Sequence, residues 1–311
     1  MKLLQNKIAE SGLTLPVTAL YAIVVWLLAG VVKEQWWGQL ACFILSAALL
    51  AELNNSNALI RVRSRLVSST FLALSCAACF LFESMQGGIV QLCCVASYLI
   101  LFRTYQDKEA VGWTFYAFFC LGLASMAFVP VIFLMPVLWL LMATNLLSLS
   151  WRTWTASLIG VLTPYWLTLP YFIYMQDFMP LADHLAGLGA FSFPFDYSTL
   201  TVGQVLVFAF VLLLAAAGSM HLWRYGYEDS IRVRLLYGCF MGIDAVVLLF
   251  VALQPQHYQV LMPLAIINTS PIIAHFLALT HTRITNILFF VIVGAVVLLT
   301  AFNLWMPSLT F

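Results

Sequence analysis

One carboxylate interrupts the apolar run LLYGCFMGIDAVVLLFVAL at positions 235–253: Asp244, close to its midpoint. A charge at the centre of a bilayer costs at least about 2.5 kcal/mol, so an acid there must be protonated, paired or in contact with water. The next apolar run, LMPLAIINTSPIIAHF (261–276), sets Asn268, Thr269 and Ser270 at a similar depth, just before Pro271. A helical proline removes a backbone hydrogen bond and bends the helix, freeing carbonyl oxygens on the preceding turn. Only QPQHYQ (254–259) joins the two runs, so their helices are expected side by side. An acid facing a broken, polar stretch of helix is the pattern of a midplane ion or proton site. His275, one turn farther inward, would continue a relay. The same residues equally suit a neutral Asp244 that joins two helices by bonding Asn268 or Thr269.

A second set of polar groups falls in the long segment 176–203, QDFMPLADHLAGLGAFSFPFDYSTLTVG. It carries Asp183, His184 and Asp196, no Lys or Arg, and alternating aromatics at Phe191, Phe193, Phe195 and Tyr197. Two readings stand: a lid or sugar-stacking platform with acid/base groups, or an interfacial loop whose aromatics rest at headgroup level. The run feeding it, TASLIGVLTPYWLTLPYFIYM, has Pro164 and Pro170 among Tyr165, Trp166, Tyr171 and Tyr174. It reads as a bent helix that either walls an outward cavity or sits in an aromatic belt.

On the opposite side, NNSNALIRVRSRL (54–66) and YEDSIRVRLLYG (227–238) share Ile-Arg-Val-Arg ahead of an apolar run. Arg61, Arg63, Arg65, Arg232 and Arg234 are candidates to hold anionic headgroups or the phosphate of a lipid-linked substrate. The strings precede the third and ninth predicted spans, an interval found in transporters built from parallel repeats; positive-inside bias together with chance accounts equally for four matching residues. All seven cysteines (Cys42, Cys76, Cys79, Cys93, Cys94, Cys120 and Cys239) fall within apolar runs. No disulfide framework is indicated. CAAC (76–79) and CC (93–94) reach similar depth on consecutive helices, as a thiol relay would, or as small residues in a tight hairpin do. His221 and His275 read as interface histidines rather than haem ligands. No nucleotide-binding loop, zinc-ligand spacing or Gly-x-Ser-x-Gly is present. No cofactor, metal or nucleic-acid partner is therefore expected.

The frame that must position these groups follows from composition. Of 311 residues, 64% are hydrophobic and 8% charged, too few charges to coat a soluble protein of this size. That is the balance of a polytopic α-helical membrane protein. A hydrocarbon core of ~30 Å takes about 20 apolar residues of helix. This ruler places spans at 15–32, 38–53, 66–83, 88–102, 111–128, 131–149, 155–175, 204–221, 235–253, 260–279 and 286–305. The expected fold is an all-α bundle of about eleven transmembrane helices, forming a single integral domain over 1–311. With the N-terminus cytoplasmic and the C-terminus external, every Lys and Arg except Lys33 falls on the inner side, as the positive-inside rule requires. The turn that matters most to this alternation is AFVPV, around Pro130. Residues 1–13 suit a short amphipathic helix on the inner face. The first apolar run reads as a retained anchor rather than a cleaved signal.

The stretches ELNNSNALIRVRSRLVSSTFLALS (52–75) and HYQVLMPLAIINTSPIIAHFLAL (257–279) resemble an uncharacterised family of polytopic inner-membrane proteins of Bacteroidota. In that family an Asn and Arg-x-Arg precede the third helix, often followed by a proline. Val67 stands at that position here. The resemblance implies a multi-pass protein of the bacterial envelope and carries no catalytic residue with it.

Three functions fit. The first is a transporter or flippase-like carrier in envelope biogenesis, coupled through Asp244 and its neighbours. The second is a glycosyltransferase or glycan polymerase acting on polyprenyl-phosphate-linked sugars, with Asp183, His184 and Asp196 as acid/base groups. Its first outer loop, KEQWW, is short and no Arg lies outside, which departs from such enzymes. The third is a non-catalytic scaffold for other envelope membrane proteins. The carrier is the reading favoured, without an enzymatic step.

Overall fold

The computed structural model describes residues 4–62, 64–189, 197 and 200–305. Its helices, in order, are α1 (Leu4–Glu10), α2 (Thr14–Leu28), α3 (Trp37–Asn57), α4 (Leu66–Ala77), α5 (Met85–Leu101), α6 (Val111–Ala127), α7 (Leu134–Thr144), α8 (Trp151–Met175), α9 (Met179–Ala186), α10 (Val202–Tyr225), α11 (Ile231–Leu253), α12 (Tyr258–Leu279) and α13 (Arg283–Trp305). No strand occurs among the described residues.

Seven of these helices are long and apolar enough to cross a bilayer: α3, α5, α8, α10, α11, α12 and α13. The others expected to span are shorter. α4 stops at Ala77 and continues as a 3-10 turn, Cys79–Glu83. α2 has 15 residues and meets α1 at 87°. Between α6 and α7 the helix breaks at Phe128, which is extended, and a 3-10 turn carries Pro130. At 1.5 Å per residue, the 12 residues of α4 reach about 18 Å, short of a hydrocarbon core of ~30 Å. Helix length alone therefore shows seven candidate spans and a lipid environment.

The bundle is organised around α12. Tyr258 and every residue of 260–278 are buried, so a helix that is apolar around most of its circumference has protein on all sides. α4, α5, α10 and α11 surround it, and α1 packs at its C-terminal end. Two glycines permit that closeness. A Cβ on Gly87 of α5 would lie 2.7 Å from the Gln259 carbonyl oxygen, and one on Gly218 of α10 would lie 2.6 Å from Ile272 Cγ2. Pro263 has no N–H to offer the Gln259 carbonyl, so α5 presses against a turn of α12 that already lacks one rung. At the other end, helix carbonyls without intrahelical partners need donors. Gln5 Nε2 supplies one to Leu277 O, and Asn6 Nδ2 bonds Thr280 O at 3.0 Å. The face that α1 buries is thus polar and turned toward α12.

The packing also shows a partial echo. α3 packs on α5 as α10 packs on α12, and α5 and α12 touch each other. α13, the most apolar of the seven long helices, lies at the periphery and leaves Ile284, Ile287 and Leu298 exposed, as a lipid-facing surface would.

Candidate functional site

α11 carries Asp244 into the interior, where the residue is 2% exposed. The Thr269 hydroxyl on α12 donates to Asp244 Oδ2 at 2.9 Å, so the expected adjacency of the two helices holds at this pair. Oδ1 has no hydrogen-bond partner. Asn268 does not reach the acid: its Nδ2 donates to Leu264 O in its own helix at 2.7 Å, and its Oδ1 is also unpartnered. Ser270 donates back to Ile266 O, while its own carbonyl receives the Thr70 hydroxyl of α4 at 3.0 Å. α5 adds a residue the sequence did not mark. Tyr98 is 1% exposed, and its hydroxyl faces the Asn268 amide and the Asp244 carboxyl without closing a well-formed hydrogen bond to either. Asp244 Oδ1, Asn268 Oδ1 and Tyr98 OH are each buried without a well-formed hydrogen bond. Such groups are costly unless something small and polar satisfies them. In sequence Tyr98 reads as an aromatic near a span end, which is why it was missed.

His275 lies elsewhere. Its Nε2 is 2.8 Å from Asp229 Oδ2, and both side chains are 1% exposed. Asp229 follows the turn Gly226–Glu228 and leads into α11. Arg61 reaches the same carboxylate: its Nε is 2.9 Å from Oδ1, close enough for an ion pair but off the line of a hydrogen bond. Arg61 also pairs with Glu228 at 3.0 Å. The Tyr237 ring stands edge-on to His275 at 4.8 Å, and the His221 ring is 5.6 Å away. His275 Nδ1 and Tyr237 OH lack partners. This is a second polar cluster, running from the interior to the half-exposed Arg61. Asp229 was not legible as a site residue, because an acid in YEDS reads as an ordinary solvated loop.

The arginines divide. Arg61 is held by Glu228 and Asp229. Arg232 donates to Asn57 Oδ1 at 3.0 Å and stacks over the Tyr105 ring at 5.6 Å. Arg65 and Arg234 are exposed, and Arg63 lies outside the described residues. Two of the proposed headgroup contacts are therefore engaged within the protein.

In the long segment, α9 brings His184 Nε2 to 3.1 Å from the Ser125 carbonyl oxygen at the end of α6. The Tyr165 hydroxyl of α8 bonds Ser125 Oγ at 2.9 Å. Asp183 is exposed, while Asp196, Phe191, Phe193 and Phe195 lie outside the described residues. The cysteines are all free, and no metal-binding group of three or more His, Cys, Asp or Glu occurs among the described residues.

Comparison with family models, with curated proteins and with solved structures finds no match.

Proposed function

We propose that this chain is a proton- or cation-coupled carrier of the bacterial inner membrane. It would work in envelope biogenesis on a lipid-linked or other envelope substrate, and belong with the Bacteroidota family it resembles. In this reading about eleven spans cross the bilayer, with the N-terminus cytoplasmic and the shorter helices α2, α4, α6 and α7 completing the count.

The observation that carries the proposal is the unsatisfied oxygen cluster at Asp244. A carboxyl buried to 2% exposure with a single donor, Thr269, keeps one oxygen without a hydrogen bond, and Asn268 Oδ1 and Tyr98 OH on the helices around it are buried in the same state. A proton or a small cation arriving there would change the bonding of α5, α11 and α12 together. Such a difference between loaded and empty states is what a coupling site must supply.

Two further features support the reading. The His275–Asp229 pair leads from the interior toward the inner surface. Thr269 and His275 are six residues apart on α12, about 9 Å, so transfer between the clusters requires bridging water. The second feature is a partial repetition: α3 packs on α5 as α10 packs on α12, a pairing that carriers built from parallel halves would contain.

The test is charge displacement. Wild-type protein in proteoliposomes on a solid-supported membrane should give a transient current on a pH jump or a Na+ jump. Asp244→Asn, which keeps the shape and an acceptor for Thr269, should abolish it. An unchanged transient in that variant would remove Asp244 from the mechanism.

A further inference from the structure

An apolar concavity that suits a hydrocarbon occupant lies away from Asp244. It is a groove of about 550 Å³ between α2 and α13, with α4 and α12 behind it. Val17 and Tyr21 of α2, Ala73 of α4, Ile273 of α12, and Val293 and Val297 of α13 line it. Val17, Val293 and Val297 form exposed lips, so the groove opens sideways to the bilayer.

Its ends differ. At one end the Tyr21 hydroxyl donates to Thr300 Oγ1 at 2.7 Å, bridging α2 to α13 and closing the slot. At the other end lies α1, whose Ile8 lines the groove. Along α2 the lining runs from Leu13 to Tyr21, about 12 Å of helix rise, most of the ~15 Å that one leaflet's hydrocarbon provides.

Three exposed basic residues adjoin, in sequence, the elements at this end. Lys7 precedes Ile8, and Arg65 precedes Leu66, which also lines the groove. Arg283 is one turn before Asn286, whose Oδ1 receives the Gln5 N–H of α1 at 3.0 Å. All three basic residues are exposed. Glu10, at the end of α1, is the acid nearest to them in sequence on that helix.

We propose that this groove is a lipid site. One acyl chain of an anionic phospholipid lies between α2 and α13, with its phosphate at Lys7, Arg65 and Arg283. The length of the slot against one leaflet, its lateral opening, and exposed basic residues adjacent in sequence to its lining at one end each point to a phospholipid from the surrounding leaflet. A polyprenyl phosphate fits less well, because the Tyr21–Thr300 bridge stops the slot after about 12 Å.

The test uses full-length protein purified in mild detergent and native mass spectrometry. Equimolar phosphatidylglycerol and phosphatidylcholine are added, with undecaprenyl phosphate as a competitor in a separate arm. One phosphatidylglycerol should be retained, in preference to phosphatidylcholine by about tenfold. Lys7→Gln, Arg65→Gln and Arg283→Gln together should erase that preference. Val17→Trp and Val293→Trp, both at exposed lips where folding tolerates bulk, should reduce retention of either lipid while the protein stays monodisperse. Equal retention of the two phospholipids, indifference to both Trp variants, or displacement by an equal concentration of undecaprenyl phosphate would each overturn the assignment.

Discussion

Arg232 donates to the Asn57 side chain, four residues ahead of Arg61, and Arg61 in turn pairs with Glu228, four residues ahead of Arg232. The two Ile-Arg-Val-Arg strings are thus cross-linked reciprocally, each arginine reaching the equivalent position of the other segment. The reciprocity is local: Arg61 lies between α3 and α4, whereas Arg232 stands in the first turn of α11. The two contacts are not equal in energy. Arg232–Asn57 is an exposed arginine on a neutral acceptor, worth at most about 1 kcal/mol. Arg61 also faces Asp229, whose side chain is 1% exposed. Removing Arg61 strips a positive partner from a buried acid, which costs about 1–3 kcal/mol. Arg61→Ala should therefore lower the unfolding temperature in detergent more than Arg232→Ala. The reverse order would mean that the Asp229 contact contributes little.

Gly87→Ala and Gly218→Ala should each destabilise by about 1–3 kcal/mol, as overpacking does. The added carbon would meet a backbone oxygen at 2.7 Å in the first case and Ile272 Cγ2 at 2.6 Å in the second. Gly294→Ala is the control. It lies within α13 with open space around it, so the only expected change is a gain in helix propensity of up to about 1 kcal/mol. Thermal unfolding of the three variants checks the claim that α5 and α10 press directly on α12. Equal behaviour of all three would show that the helices have room to separate.

The Asp244–Thr269 contact was legible because a short loop forces adjacency and depth could be counted along each run. What surrounds it was not. Hydropathy orders the helices by what lipid they could face, and α13 is both the most apolar and among the least buried of the seven. α12 ranks lower because Asn268, Thr269, Ser270 and His275 dilute it, yet it is the helix covered on all sides. In a bilayer, apolar side chains suit the lipid as well as the core, so composition does not reveal which helix is central. The partner of His275 escaped for a related reason. Asp229 lies in a polar turn, and only the fold shows that this turn folds back beneath His275. Arg61 and Arg232 were identified as a pair of similar strings, but a positive-inside signal carries no information about which acids they meet.

Thr269→Val should cost about 0.6–1.7 kcal/mol, the range for hydrogen bonds between helices in membranes. Asp244→Asn should cost less, since the amide oxygen still accepts from Thr269. Paired instead with Asp244→Leu, which removes the acceptor, Thr269→Val should add less than the sum of the singles, because both remove one contact. Full additivity in a double-mutant cycle would mean that the 2.9 Å contact contributes no coupling.

His184→Ala should leave charge displacement intact and reduce stability by about 1 kcal/mol, through loss of its contact to the Ser125 carbonyl. Asp183→Ala, at an exposed position, should be silent in both measurements. If instead these changes alter envelope glycans in the cell while stability holds, the acid/base reading of the outer segment gains and the carrier reading loses its claim to that region.

In the proposed proton-coupled cycle the two polar clusters would make separable contributions, which kinetics distinguishes. Asp244 is the group that would hold the proton, so Asp244→Asn should remove the amplitude of the transient current. His275 and Asp229 would only conduct protons toward it from the inner side. His275→Gln and Asp229→Asn should therefore preserve the amplitude and slow the rise, by about 10²-fold or more if they act as positioned acid/base groups. Tyr237→Phe removes an unpartnered hydroxyl from a ring that packs edge-on to His275, so it should slow the transient without disturbing packing. A structural role for the His275–Asp229 pair predicts a different pattern. Both variants would then lose unfolding temperature, and the rate measured on folded protein would match the wild type. Slowing without destabilisation in Tyr237→Phe is the outcome that a purely structural cluster does not produce.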